Sequence, residues 1–194
     1  MKYKTILLFG APGSGKGTQG RILGQVPNYY YFSCGDVFRN LRLENPLGKK
    51  FIEYSSKGEL VPDELTVELW RKHLEASTSD GEFHPEHDWL VLDGIPRNPH
   101  QVDMMNQAID VLGVLHLACG DMSKMEERIQ RRALKENRMD DGNVEIIRQR
   151  FETYQNETQP VLSKYDAGIV HDIDSTQSPL GVFADVVKVI QSIG

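Results

Sequence analysis

The sequence predicts an α/β protein in three layers, α/β/α, built on a central parallel sheet. Apolar runs of strand length at 5–9, 89–92, 114–119 and 169–172 alternate with stretches of helical period. The first of these runs leads through a glycine-rich loop straight into a helix. With 194 residues, the chain suffices for one well-cored domain, 1–194, and is too short for two comfortable ones. Strands separated by helices pair in parallel and need cover on both faces.

The opening strand, Thr5 to Phe9, runs into Gly10-Ala11-Pro12-Gly13-Ser14-Gly15-Lys16-Gly17-Thr18. Glycines let bare backbone approach an anion closely. A helix starting near Lys16 aims its unpaired N–H groups and positive dipole end at that anion. Lys16, expected at a solvent-facing position, adds a full charge within reach of the outer phosphates of a nucleoside triphosphate. The stretch fits the P-loop pattern G-x-x-x-x-G-K-[ST] with one departure: Gly17 follows the lysine and the hydroxyl comes one place later, at Thr18. A glycine turn without a ligand would have no use for the lysine. The predicted fold class is therefore the P-loop NTPase type.

The subsequent elements read in order. Ile22, Leu23 and Val26 give the first helix an apolar face, and Pro27-Asn28 ends it. Tyr29 to Phe32 is a short strand, and Ser33 to Arg39 a turn entering a short helix. A helical stretch near 47–57 reaches Gly58-Glu59-Leu60-Val61-Pro62, after which Asp63 is a candidate cap for a helix that turns Leu65, Leu69 and either Trp70 or Leu74 inward. The Gly, His, Pro and Asp content of 80–88 marks a loop. Trp89 to Leu92 is a strand ending in Asp93-Gly94-Ile95-Pro96-Arg97, and an acid there, beside a P-loop, is positioned to organise Mg²⁺, directly or through water. As a plain turn residue, Asp93 would instead cap the next helix.

A helix near 101–112 leads to a strand over 114–119, and Ser123-Lys124-Met125-Glu126 carries a capping-box signature. The helix after it holds Arg128, Arg131 and Arg132 before a short loop at 138–142. Val144, Ile147, Phe151 and Tyr154 recur at helical spacing, with Pro160 as the expected break. A last strand at 169–172 precedes a helix lined by Leu180, Phe183, Val187 and Ile190.

Composition narrows the function. The chain is 39% hydrophobic and 26% charged, with a formal charge of −6, which argues against a general nucleic-acid or anionic-membrane surface. No stretch approaches the roughly 20 apolar residues of a membrane span. Two cysteines, Cys34 and Cys119, make neither a disulfide framework nor a four-cysteine zinc site, and a cytoplasmic setting is expected. The apolar run near the start is too short for a signal peptide and flows into the glycine loop.

Arg39, Arg97, Arg128, Arg132, Arg138 and Arg150 fall in loops or near helix ends. Any one alone is an ordinary solvated charge. As a set they suit the transfer of a phosphoryl group between two nucleotides, where donor, acceptor and moving group must all be neutralised. Guanidinium forks hold phosphate oxygens at two points and so align the partners. No general-base motif of the protein-kinase kind is present, and none is needed if the acceptor is itself an ionised phosphate. The histidines are scattered and suggest no metal site.

In its motifs the chain resembles the adenylate kinases. Gly10 to Thr18 resembles their GxPGxGKGT loop, Ser33 to Asp36 with Arg39 their monophosphate entry motif, and Gly58 to Thr66 their GxLVPDELT segment. Asp93 to Arg97 with Gln101 resembles DGFPR followed by Gln, and 127–132, 138–141 and 150–154 resemble the lid and its flanking helices. The match runs in order through nearly the whole chain.

The resemblance implies a doubly wound core with two mobile insertions, a monophosphate-binding part at 33–62 and a short lid at 133–142, without structural zinc. It implies ATP + AMP = 2 ADP with Mg²⁺, on the substrates ATP, AMP and ADP; nothing in the sequence demands an oligomer, so a monomer is the default, and no nucleic-acid or membrane partner is expected. Carried over by position, Gly13, Ser14, Gly15, Lys16, Gly17, Thr18, Arg128 and Arg132 would hold ATP. Cys34, Arg39, Glu59, Leu60, Val61, Gly94, Arg97, Gln101, Arg138 and Arg150 would hold AMP and the transferring group, with Gln101 reading the adenine edge. Lys16, Arg97, Arg132, Arg138 and Arg150 would be catalytic, and Asp93 would hold Mg²⁺ through water.

Three positions depart from the pattern: Cys34 where Thr is usual, Ile95 where Phe or Tyr is usual, and Asn137 where Gly is common. A thiol is a poorer hydrogen-bond partner than a hydroxyl, so Cys34 bears on base selectivity. The similar UMP/CMP kinases typically carry Ala at that point and Asn in place of Gln101, which makes a pyrimidine kinase the near alternative. A nucleotide switch without kinase chemistry is the distant one: Ser163-Lys164-Tyr165-Asp166 lacks the Asn of a guanine-reading motif.

Overall fold

A computed structural model of the chain describes residues 2–42, 44–136, 141 and 143–193. Five strands, β1 (Tyr3–Phe9), β2 (Tyr29–Ser33), β3 (Trp89–Asp93), β4 (Ile109–Ala118) and β5 (Val170–Asp174), form one sheet in the order β2-β3-β1-β4-β5. Every neighbouring pair is parallel. All the carboxyl ends therefore open on one edge, where ligands bind in open α/β sheets.

Alternation along β1 divides the core. Ile6 and Leu8 face a cluster closed by Leu23 of α1 (Lys16–Leu23) and by Val182, Val186 and Ile190 of α8 (Pro179–Ile193). Leu7 and Phe9 face the opposite cluster with Leu69, Trp70 and Leu74 of α4 (Asp63–Ser79) and Met105 of α5 (Pro99–Met105). A third cluster joins Met125 and Ile129 of α6 (Met122–Glu136) to Ile147 and Phe151 of α7 (Val144–Thr153). Two short helices, α2 (Cys34–Asn40) and α3 (Pro46–Ser55), are joined by Phe38 stacked on Phe51 at 5.1 Å.

Several local expectations are corrected. Of the expected face of α1, Leu23 is buried while Ile22 and Val26 are exposed; Gln19 and Gly20 turn inward in their place, Gly20 against the Tyr31 ring. On α8 the buried stripe is Val182, Val186 and Ile190, while Leu180 is 77% exposed. Val144 is exposed as well. The helix expected over 101–112 stops at Met105, since β4 begins at Ile109 to pair with Tyr3, and a register shift opposite Thr5/Ile6 admits one extra residue.

Two caps also differ. Asp63 is the first residue of α4 rather than its cap. Asp121, not Ser123, caps α6: its Oδ1 accepts from the Ser123 and Lys124 backbone N–H groups at 3.1 and 3.2 Å. Pro160 does not end the helical run either. After α7 the chain widens into a π-helical turn, Tyr154–Thr158, then tightens into a 3₁₀ turn, Gln159–Lys164, with Pro160 in its first turn, where no N–H is required.

Candidate active site

The glycine loop lies between the end of β1 and the start of α1, with Gly15 at φ +98° just before Lys16. A Cβ on Gly13, at φ +82°, would sit 2.7 Å from the Met125 carbonyl oxygen, so bare backbone is what lets the loop rest on α6. Beside Gly15 a Cβ would meet nothing within 4 Å, which leaves an open concave space next to the helix N-terminus.

Lys16 does not stand out in solvent as expected. Its Nζ donates to the carbonyls of Gly10 at 2.6 Å and Ala11 at 3.1 Å. Burial lowers its pKa to about 8; Asp93 works against the shift, and Arg97, Arg132 and Arg150 add to it. An ammonium so placed gains from any anion that enters.

Two clefts open at the carboxyl edge. The first is lined by Gly13, Ser14, Gly15, Lys16, Gly17 and Thr18, together with Arg128 and Arg132. Cys34, Glu59, Leu60, Val61 and Gln101 line the second. Lys16, Arg39, Gly94, Arg97 and Arg150 border both, so the clefts meet along a cationic seam. Arg138, another predicted site residue, lies outside the described residues, as does most of the loop expected at 138–142.

Each cation is oriented by its neighbours. Arg97 Nε donates to the Gly94 carbonyl at 2.9 Å, and Arg128 Nη1 to the Ser175 carbonyl at 2.8 Å. Arg39 Nη2 donates to Asp36 Oδ1 at 2.5 Å, and Ser33 caps α2 by accepting from the Asp36 N–H at 3.3 Å. Arg132 donates to both oxygens of Asp141, and Arg150 to Oδ1 of the same carboxylate. Cys34 is buried, and burial pushes its thiol up to about 11, so it is a neutral group in the second cleft.

Asp93 ends β3 within the first cleft, and Tyr31 donates its hydroxyl to Asp93 Oδ2 at 2.9 Å. Asn98, not Asp93, caps α5. Among the described residues no three His, Cys, Asp or Glu side chains gather as a metal cage. One carboxylate beside a phosphate loop is nevertheless the donor set that suits Mg²⁺, which keeps several waters and takes further oxygens from substrate phosphates. Gly17 lies next to this carboxylate, and Thr18, one place on, is exposed.

Sequence reasoning missed Tyr31, Asp63 and Asp141 as partners of the site. A signal for Tyr31 existed in Gly20 and Gly24, spaced one helical turn apart: a Cβ on Gly20 would lie 2.1 Å from the Tyr31 ring. No helix among the described residues is long and apolar enough to cross a membrane.

Comparison with known proteins identifies the family. The family model described as adenylate kinase matches residues 8–170. The adenylate kinase of Thermobifida fusca is 37% identical over 177 residues, 88% of this chain and 89% of that one. Those of Pseudarthrobacter chlorophenolicus and Thermus thermophilus are 33% and 32% identical, and the matches cover 97% and 94% of this chain and 95% of each relative. The matched residues 8–170 include the phosphate loop and run through Arg39, Arg97, Arg128, Arg132 and Arg150, and on the extent of these matches the chain belongs to the adenylate kinase family.

Proposed function

We propose that the protein catalyses ATP + AMP = 2 ADP, with ATP in the cleft of the glycine loop and AMP in the cleft of Cys34 and Gln101. The observation that carries this reading is the seam: Lys16, Arg97 and Arg150 border both clefts, at the line where a γ-phosphate and an acceptor phosphate would meet. The acceptor oxygen is already ionised near neutral pH. Positioning and charge neutralisation are then the main requirements.

The loop amides and Lys16 bind the donor phosphates, with Arg128 and Arg132 on the same side. Arg39, Arg97 and Arg150 bind the acceptor phosphate and follow the transferring group, a role that Arg138 shares. Asp93 would hold Mg²⁺ through water, and the ion would supply added charge neutralisation on the donor phosphates. The segments 33–62 and 133–142 act as the acceptor-side insertion and a short lid that close to exclude water. We read the protein as a cytoplasmic monomer: one chain lines both clefts, and both cysteines are free.

The test is an acceptor panel with Mg-ATP and AMP, CMP, UMP or GMP, measuring ADP above an acceptor-free control. Strong preference for AMP supports the assignment. Preference for CMP or UMP would make the protein a pyrimidine monophosphate kinase, and no transfer to any acceptor would favour a nucleotide switch.

A further inference from the structure

Behind the second cleft, Asp63 gathers three side chains from the start of α5. Its Oδ1 accepts from Gln101 Nε2 at 2.7 Å and from Asn98 Nδ2 at 2.8 Å, and its Oδ2 lies 2.9 Å from His100 Nδ1. Gln101 is 1% exposed and lines the cleft, whereas Asp63 does not. On its other side, Gln101 Oε1 accepts from the Arg97 backbone N–H at 2.7 Å.

These two contacts fix which way the Gln101 amide points. A carboxylate can only accept, so it requires the NH₂ end; a backbone N–H can only donate, so it requires the oxygen. Both constraints agree. One N–H and one oxygen lone pair remain on the amide for a ligand in the cleft. Burial alone would raise the Asp63 pKa, yet the donors from His100, Asn98 and Gln101 hold it below the usual range, so the carboxylate is ionised at neutral pH.

We propose that Asp63 is a positioning residue for base selectivity: it locks the Gln101 amide in the one orientation that matches a 6-aminopurine and rejects a 6-oxopurine. A 6-aminopurine offers an acceptor at N1 and a donor at N6, which pair with a donor and an acceptor in fixed order. A 6-oxopurine reverses both, and an amide free to flip would accommodate it. Polarity alone does not separate adenine from cytosine, which differ here by size. The proposal rests on the reading of the second cleft as the acceptor-base site.

The experiment is an acceptor series, AMP, purine riboside 5′-monophosphate and IMP, with Mg-ATP and the intact chain. Wild type should rank them in that order, with kcat/KM for IMP about 100-fold or more below AMP, since both pairs are mismatched. In Asp63→Asn the partner can accept or donate and only the Arg97 N–H still opposes a flipped amide, so the AMP-to-IMP ratio should fall about tenfold, through acceptor KM rather than ATP KM. In a Gln101→Ala background, Asp63→Asn should change the ratio no further.

An unchanged ratio in Asp63→Asn, with Gln101→Ala still weakening AMP, overturns the proposal alone. If Gln101→Ala leaves AMP untouched, the acceptor-base reading falls and takes the proposal with it. Should Asp63→Asn fail to fold, wild type still decides: IMP used as well as the purine analogue means the amide is not locked.

Discussion

Arg132 and Asp141 form a two-point ion pair, Nε to Oδ2 at 2.7 Å and Nη2 to Oδ1 at 3.0 Å, and the Asp141 side chain is fully buried. Arg150 shares the same carboxylate from the facing helix. Two guanidiniums are thus held side by side by one acid, which offsets their mutual repulsion.

Asp141→Asn should cost about 2 kcal/mol, a drop in Tm of about 6 °C, because it removes a buried charge that two partly buried cations share. Burial alone would raise the Asp141 pKa, but Arg132 and Arg150 hold it below the usual carboxylate range. Its stabilisation is therefore present above the unfolded carboxyl pKa and lost as pH falls through the folded one. Thermal denaturation from pH 6 down to pH 2 should show a shallower acid limb in the variant. Equal acid limbs would remove Asp141 from this role.

Lys16→Met should lower turnover about 10³-fold, as expected when a preorganised charge at the transferring phosphate is lost. The fold should survive, because the folded state already disfavours this ammonium. The pH dependence follows from its pKa of about 8. Entering phosphates favour the charged form, so ATP binding takes up a proton near pH 8, and affinity falls as pH rises from 7 to 9. Calorimetry in buffers of different ionisation enthalpy measures that uptake; zero uptake at pH 8 would contradict it.

Arg97→Ala should weaken AMP by tenfold or more and ATP by less than about threefold, since charge-assisted bonds to phosphate are worth about 1.5–3 kcal/mol. Steady-state kinetics with each substrate varied separates the two. Equal losses would put Arg97 on the wrong side of the seam.

Gly20→Ala should destabilise the protein by about 2 kcal/mol through overpacking against the Tyr31 ring. Because Tyr31 donates to Asp93, the Mg²⁺ concentration for half-maximal rate should also rise. Tyr31→Phe keeps the packing and should reproduce only the Mg²⁺ effect. A Mg²⁺ profile untouched in both variants would separate Asp93 from the metal.

The parts of this molecule legible in the sequence are those set by local chemistry. The β1 run, the glycine loop and Lys16 are contiguous, and alternating apolar runs mark the strands. Helix faces were less legible where the buried residue is not apolar: α1 turns Gly20 and Gln19 inward, and Gln19 Nε2 donates to the Pro179 carbonyl at 3.0 Å. A search for apolar periodicity selects Ile22 and Val26 instead. The supporting carboxylates were invisible for another reason. Asp63 stands 38 positions from Gln101, and only the packing of α4 against α5 brings them together. Asp141 lies nine positions from both Arg132 and Arg150, with no periodicity linking all three.

The widened turn Tyr154–Thr158 places one residue more than a regular turn between α7 and the 3₁₀ turn Gln159–Lys164. Each residue advances a helix by about 100°, so the surplus sets the angle between the helical segments on either side of the turn. Upstream, Arg150 borders both clefts and Thr153 donates to the Gly58 carbonyl at 3.0 Å; downstream, Val161 is seated in the core. Deleting one residue at 155–157 would remove the widening and, with Val161 held in the core, swing Arg150 away from the seam. The aim of that arginine is written as a residue count, not as a residue identity.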